Sequence, residues 1–235
     1  MVSHTGCKGM VVSSQYESEG RSLIDQVSGM DLFLCRDGDY ETWLSDQSLV
    51  DPEISVAESD WFIIRHTGGT TGKPKGVAYS HRTWLDAGRD WFYNFPPMDP
   101  DDVCLHVGPI SHGSGYLYTP TWLAGCANHL MSEFDPETVL RAMADGRGSF
   151  MFMVPSMLNQ VVRHPLARSL TYSALKVIQI GGAPIADETA LMGREVFGDV
   201  LYQGFGQTEA VPVCMMGPSE WFSSVEGSQP LRSAG

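Results

Sequence analysis

The sequence comprises 235 residues, 43% hydrophobic and 18% charged, a balance that excludes a disordered chain and is long enough to bury a sizeable core. With 15 Lys and Arg against 28 Asp and Glu the formal net charge is −13, which argues against nucleic acid or an anionic membrane surface as partner, so any anion must be held locally. Cys7, Cys35, Cys104, Cys126 and Cys214 are odd in number and far apart, which argues against a disulfide framework or a zinc site and for a reducing cytoplasm.

The opening stretch MVSHTGCKGM has no apolar core of the signal-peptide kind, and no apolar run approaches the ~18 residues of a membrane span. A cytoplasmic chain without a membrane span is the expectation. Short β-branched or aromatic runs then alternate with longer segments of helical period. Strands are predicted at GMVV (9–12), LFLC (32–35), WFIIR (61–65), VCLHV (103–107), SFMFMV (149–154), KVIQI (176–180) and VLY (200–202), with helices in the gaps. The polar stretch 48–60 reads as a surface linker and PPMDPDD (96–102) as a tight loop. FDPETVLRAM marks the clearest helix start: Asp135 can cap free amides, Pro136 suits the first helical position, and Glu137 favours the positive end of the dipole. A further helix is predicted over 186–197. The predicted fold class is α/β, with a mainly parallel sheet and helices on its faces.

Four glycine-bearing stretches follow predicted strands: HTGGTTGKPKG (66–76), GPISHGSG (108–115), GGAP (181–184) and QGFGQTE (203–209). Open α/β sheets bind ligands outside the carboxyl ends of their strands, so the four can converge on one site. In the first stretch, glycines let amides curl around an anion, threonine hydroxyls add donors, and Lys75 supplies charge, which together describe a polyphosphate cradle. It is not the Walker loop, because Pro74 follows Gly72 and Lys73 where Ser or Thr should stand. The alternative is a solvated Gly/Thr hairpin turn.

TGGTTGKPKG resembles the signature of the adenylate-forming superfamily of acyl-CoA synthetases, luciferase and peptide-synthetase adenylation domains, with Gly68 where serine is usual. QGFGQTE is similar to its second signature, with Phe205 where tyrosine is commoner, and GGAP to its third. The resemblance implies roles residue by residue. Thr67, Gly68, Gly69, Thr70, Thr71, Gly72 and Lys75 would embrace the outer phosphates of ATP. Gly182, Ala183 and Pro184 would line one side of the adenine and Phe205 would stack on the other, with Gln203, Gly204 and Gly206 completing that nucleotide-binding motif. Thr208 would donate to the α-phosphate, and Glu209 would hold Mg²⁺, a hard cation that takes carboxylate and phosphate oxygens together. Lys75, His112, Thr208 and Glu209 are the implied catalytic set.

The implied reaction joins a small-molecule carboxylic acid to AMP, with release of pyrophosphate, and passes the acyl group to a thiol, usually coenzyme A. His112 in PISHGSG resembles the position beside the acyl carbonyl; Gly115 would make room for the acid, with Gly181 nearby. No carboxylate lies within 103–118, where amino-acid-activating relatives place one for the substrate ammonium, so a fatty or aromatic acid is favoured. Tyr116, Tyr118, Trp122, Met151 and Met153 are compatible with an apolar tail or with plain core. The resemblance also implies that 1–235 is a partial AMP-binding domain, a fragment of the large N-terminal domain without the small C-terminal one, completed by another chain or a homo-oligomer. A noncatalytic nucleotide-binding fragment and a peptide-synthetase-type adenylation domain remain as alternatives.

Overall fold

The predicted strands all form, but they fall into three sheets. The computed structural model describes residues 2–68 and 74–235 and divides into two compact units, Met1–His81 and Arg82–Gly235. The first carries α1 (Val2–Thr5), β1 (Gly9–Val12), α2 (Glu17–Ile24), β2 (Leu32–Cys35), α3 (Tyr40–Ser45), β3 (Trp61–Thr67) and β4 (Lys75–Ser80). Strands β1 and β2 pair in parallel, and β3 and β4 form a separate antiparallel ribbon in which Thr67 faces Lys75. The first glycine-rich stretch therefore joins two antiparallel strands, and WFIIR lies outside the main parallel sheet.

The second unit follows with α4 (His81–Asn94), β5 (Val103–His106), α5 (Tyr118–Leu123), β6 (Ala127–Leu130), α6 (Pro136–Ala144), β7 (Phe150–Met153), α7 (Pro155–Arg163), β8 (Val177–Ile180), α8 (Asp187–Phe197), β9 (Leu201–Gln207), β10 (Ala210–Met216) and α9 (Pro218–Trp221). Its six strands lie in the order β10-β9-β8-β7-β5-β6, parallel except for the β9–β10 hairpin. Strand alternation splits the core into two layers. Leu105, Met151, Met153, Ile178, Ile180 and Leu201 pack with residues of α6, α7 and α8 on one face. Cys104, Phe150 and Val177 pack with Trp91, Phe95 and Leu117 on the other. All four residues of β8 are buried, as a central parallel strand covered on both faces requires.

The α6 start is built as its sequence dictates: Asp135 Oδ2 accepts from the Thr138 amide at 2.8 Å, and Glu137 and Arg141 pair one turn apart at 2.7 Å. The strand at VLY is longer than predicted. It continues through Gln207, so QGFGQ is strand and only Thr208 and Glu209 turn into β10. Strand β10 was not expected, since Pro212 interrupts its apolar run; it sits at the sheet edge with a register shift, where a proline is tolerated. The chain at 48–60 is exposed, in keeping with a surface linker.

Candidate functional site

The GGAP stretch and QGFG are neighbours because β8 and β9 are paired, with Ile180 opposite Gln203. Their backbones then approach so closely that side chains are excluded. A Cβ on Gly181 would lie 2.9 Å from the Gly204 carbonyl oxygen, and one on Gly204 would lie 3.1 Å from the Gln179 amide nitrogen. Gly182 adopts φ +83°, a left-handed conformation that glycine holds without strain. Together these stretches wall a cleft of about 860 Å³ in the second unit. Gly182, Ala183 and Pro184 stand on one side; Gln203, Gly204, Phe205 and Gly206 stand beside them.

Two features of the cleft suit a flat heterocycle with a polar edge. Phe205 keeps 47% of its surface exposed, although it is a large apolar ring in the main sheet. Gln203 is buried at 6%, and its side-chain carbonyl oxygen has no hydrogen-bond partner. An acceptor left in that state costs about 1–3 kcal/mol unless something donates to it. The 231–234 segment closes another side of the cleft, tied to α8 by Arg232 and Asp187 at 3.2 Å.

The GPISHGSG stretch leaves β5 at the same end of the sheet. Within it the buried His106 ring, at the last position of β5, sets the loop. Its Nε2 donates to Asn128 Oδ1 at 2.7 Å, where Thr121 also donates, and its Nδ1 accepts from the Ser114 hydroxyl at 2.9 Å. Burial pushes His106 below the usual histidine range, so the ring is neutral and its tautomer is fixed by these partners. Sequence reasoning gave His106 no role; the polar residues at 114, 121 and 128 become a network only in three dimensions. His112 is exposed and opens the short 3₁₀ turn Gly113–Tyr116.

One expectation about the acid-binding side is corrected. Gly115 does not border open space: a side chain there would run into the Ile110 carbonyl, so this glycine serves the loop's own tight turn. Met151 and Met153 are fully buried core residues. Phe152, which alternates with them, reaches the loops instead: its ring touches the space beside Gly113, Gly181 and Gly182. Trp122 is exposed at 69% on α5, and Tyr118 packs on the His106 ring.

Thr208 and Glu209 form the β9–β10 turn, and Glu209 is exposed. In the first unit Thr67 ends β3, Gly68 has open space around it, and Lys75 begins β4 exposed. Gly69, Thr70, Thr71 and Gly72 lie outside the described residues. The structure thus unites three of the four glycine-bearing stretches at one end of the six-stranded sheet, and places the fourth in the other unit.

A sequence profile of the AMP-binding enzyme family matches residues 1–234. The chain belongs to that family. It is 33% identical over 165 residues to feruloyl-CoA synthase of Amycolatopsis sp, covering 68% of this chain and 33% of that protein. It is 33% identical over 151 residues to a medium/long-chain-fatty-acid–CoA ligase of Mycobacterium tuberculosis, covering 63% of this chain and 26% of that ligase. Among solved structures, an amide bond synthetase from Marinactinospora thermotolerans superposes with a TM-score of 0.73 at 28% identity, covering 92% of this chain and 44% of its own. The chain thus spans about a third or less of these two curated relatives. Among the described residues, no helix is long and apolar enough to cross a membrane.

Proposed function

We propose that this chain carries the nucleotide and acid sites of an enzyme that activates a fatty or aromatic carboxylic acid with ATP, giving an acyl-adenylate and then a thioester with coenzyme A. The observation that carries the proposal is the cleft in which GGAP and QGFG meet around the unsatisfied Gln203 oxygen. Adenine would lie between the Gly182–Pro184 backbone and the Phe205 ring, with its exocyclic amine donating to Gln203 Oε1. The cleft volume falls within the usual range for small-molecule sites, about 300–1,000 Å³. The curated relatives, named for aryl and fatty acids, support the acid class.

The chain's residues divide the remaining work. Thr208 would donate to the α-phosphate, next to where the carboxylate attacks. His112 would stand beside the acyl carbonyl, on a loop that His106 and Ser114 hold in place. Thr67 to Gly72 and Lys75 would meet the outer phosphates and offset their charge as pyrophosphate leaves. Among the described residues, no group of three or more His, Cys, Asp and Glu side chains forms a metal cage. Glu209, exposed in the β9–β10 turn, offers a single carboxylate, which suits an ion that shares its coordination with phosphate oxygens and water, as Mg²⁺ does. Bound there, Mg²⁺ would neutralise phosphate charge.

Titration calorimetry of the 235-residue chain with AMP tests the reading. Binding is expected, and Gln203→Leu should weaken it about tenfold, as the loss of one buried hydrogen bond to the base implies. Equal AMP affinity in the two proteins would remove the cleft from nucleotide binding.

A further inference from the structure

The GPISHGSG turn is shaped by its own backbone. The His112 amide donates to the Pro109 carbonyl at 3.0 Å, the Gly115 amide to the His112 carbonyl at 3.0 Å, and the Leu117 amide to the Ser114 carbonyl at 3.2 Å. These bonds close the turn on itself and do not reach the sheet. A polar tie to the sheet is the Ser114 hydroxyl, which donates to His106 Nδ1 at 2.9 Å. His106 ends β5 at 1% exposure and Ser114 is equally enclosed; Asn128 of β6 and the fully buried Thr121 of α5 complete the hydrogen bonds behind the ring. On its other side the turn packs Gly113 on the Phe152 ring, which also reaches Gly182 in the cleft wall. The segment that carries His112 is thus held between the His106 ring and, through Phe152, the wall of the cleft.

A neutral ring can accept at Nδ1 while Nε2 donates to Asn128; a charged one cannot, because both nitrogens then carry hydrogens. A proton on Nδ1 deprives the buried Ser114 hydroxyl of its acceptor and leaves a positive charge in the core, and each costs free energy unless a partner compensates. The elements around the ring supply no such partner. Their titratable groups are the Cys104 thiol of β5, His129 of β6, the Tyr118 phenol of α5, and His112 and Tyr116 of the turn, and β7 offers apolar side chains alone. Burial is the leading cause of the lowered His106 value, and no charged side chain contributes to it. If the turn opens, water reaches the ring and returns it to its ordinary value near ~6.5. Opening then takes up a proton. It becomes more favourable by ~10-fold per pH unit as pH falls below ~6.5, and levels off once pH passes the lower folded value.

We infer that His106 is a positioning residue for the acid site: its neutral ring holds the turn that carries His112 in place through Ser114, and protonation releases that turn. The inference rests on the acid-activating reading above and adds a pH dependence to it. His106 touches neither nucleotide nor acid and acts through Ser114.

Hydrogen exchange of the amides at 112–117 reads the turn directly, in the 235-residue chain and in His106→Gln, whose amide can donate and accept but does not titrate. After correction for the intrinsic pH dependence of exchange, and relative to the amides of β8, opening in the unsubstituted chain should rise ~10-fold per pH unit below ~6.5, and in His106→Gln by less than ~2-fold. Ser114→Ala should raise opening by ~10-fold even at about pH 7.5, as the loss of one buried hydrogen bond implies. Thermal melting confirms folding, and Ser114→Ala carries the test if His106→Gln does not fold. Exchange that ignores pH in the unsubstituted chain, an equal response in His106→Gln, or no change in Ser114→Ala would overturn the inference. The consequence for the acid is read with AMP and a stable acyl-adenylate mimic, butanoyl-sulfamoyl adenosine, titrated into the unsubstituted chain and His106→Gln alike so that titration of the ligands cancels. Between about pH 7.5 and about pH 5.5 the unsubstituted chain should lose ~10-fold of its preference for the mimic over AMP, and His106→Gln less than ~2-fold. If AMP binds and the turn opens but that preference is unmoved, His106 does not position the acid site. If AMP binds to neither protein, the nucleotide reading falls and takes the acid site with it, while hydrogen exchange still decides whether His106 holds the turn.

Discussion

In Arg82–Gly235 six strands share one sheet, and Leu105, Met143, Phe150 and Ile178 are completely buried between its helical layers. Met1–His81 also has apolar runs, yet its strands form two separate pairs; Trp61, Phe62 and Ile64 of its ribbon stand exposed at 70%, 51% and 40%, and Leu49 of its surface linker at 101%. Apolar runs therefore meet opposite fates. A strand buries its side chains when it has partners on both edges and helices on both faces; a two-stranded ribbon has neither. Stability should accordingly reside in the second unit.

The widest gap is expected from core truncation. Leu105→Ala should cost about 2–5 kcal/mol, and Leu49→Ala less than about 0.5 kcal/mol, in urea unfolding followed by circular dichroism. Similar losses at the two sites would break the comparison.

A smaller effect belongs to the polar clamp at the amino end of the same sheet. Lys176 Nζ donates to Asp102 at 2.7 Å and to Asp99 at 2.8 Å. Burial pushes the Asp102 carboxyl up, but the Asp99 amide, the Lys176 ammonium and the Ser149 hydroxyl together outweigh it and hold the group below the usual range. The hydrogen bonds to Asp102 and Asp99 hold Lys176 above its usual value. Asp102→Ala should cost about 2 kcal/mol near neutral pH, the scale of hydrogen bonds to a charged group. The carboxylate's share is fully present above its unfolded value near ~3.9 and is lost as pH falls through the lower folded value. The lysine's share is present below ~10.4 and is lost as pH rises through the higher folded value. Melting temperatures of this variant and the unsubstituted chain should therefore converge in acid and again in strong base. A constant difference across the whole range would remove the clamp.

Nucleotide binding sharpens the comparison by asking what the first unit does. Lys75→Ala, in that unit, should weaken ATP by up to ~10-fold and leave AMP unchanged, because its assignment is to the outer phosphates. Gln203→Leu, in the second unit, should weaken both alike. Calorimetry in which Lys75→Ala lowered both affinities equally would reassign the lysine.

The smallest change is expected from Glu209→Gln, which should reduce the Mg²⁺ dependence of ATP binding and leave the melting temperature within about 1 °C, as an exposed turn position implies. A magnesium titration unchanged by the substitution would exclude Glu209 as a ligand.

Much of the second unit was legible because its signals are local. The cap at Asp135, the proline after it, the all-apolar strand at 150–153 and the β-branched strand at 177–180 each state their element within a few residues. Strands β6 and β10 were not legible, since ANHL is short and half polar and AVPVCMM contains a proline; each exists because an edge of the sheet was available to it. The methionines of SFMFMV illustrate the same limit. Period-two alternation says that Met151 and Phe152 face opposite ways, but nothing in the run says which face is core and which meets the loops.

The sequence by itself determined the βα alternation, the caps and the glycine-rich signatures, because these depend on backbone conformations and side chains a few residues apart. Tertiary structure decided what required distant strands to pair. It placed GGAP against QGFG through β8 and β9, set Phe152 between two loops through β7, left Gln203 buried without a donor, and joined His106 to Ser114 and Asn128. It also placed WFIIR in an antiparallel ribbon apart from the main sheet. The physical reason is that hydrogen bonding between strands and exclusion of side chains at close backbone contacts act across space, where separation along the chain carries no information.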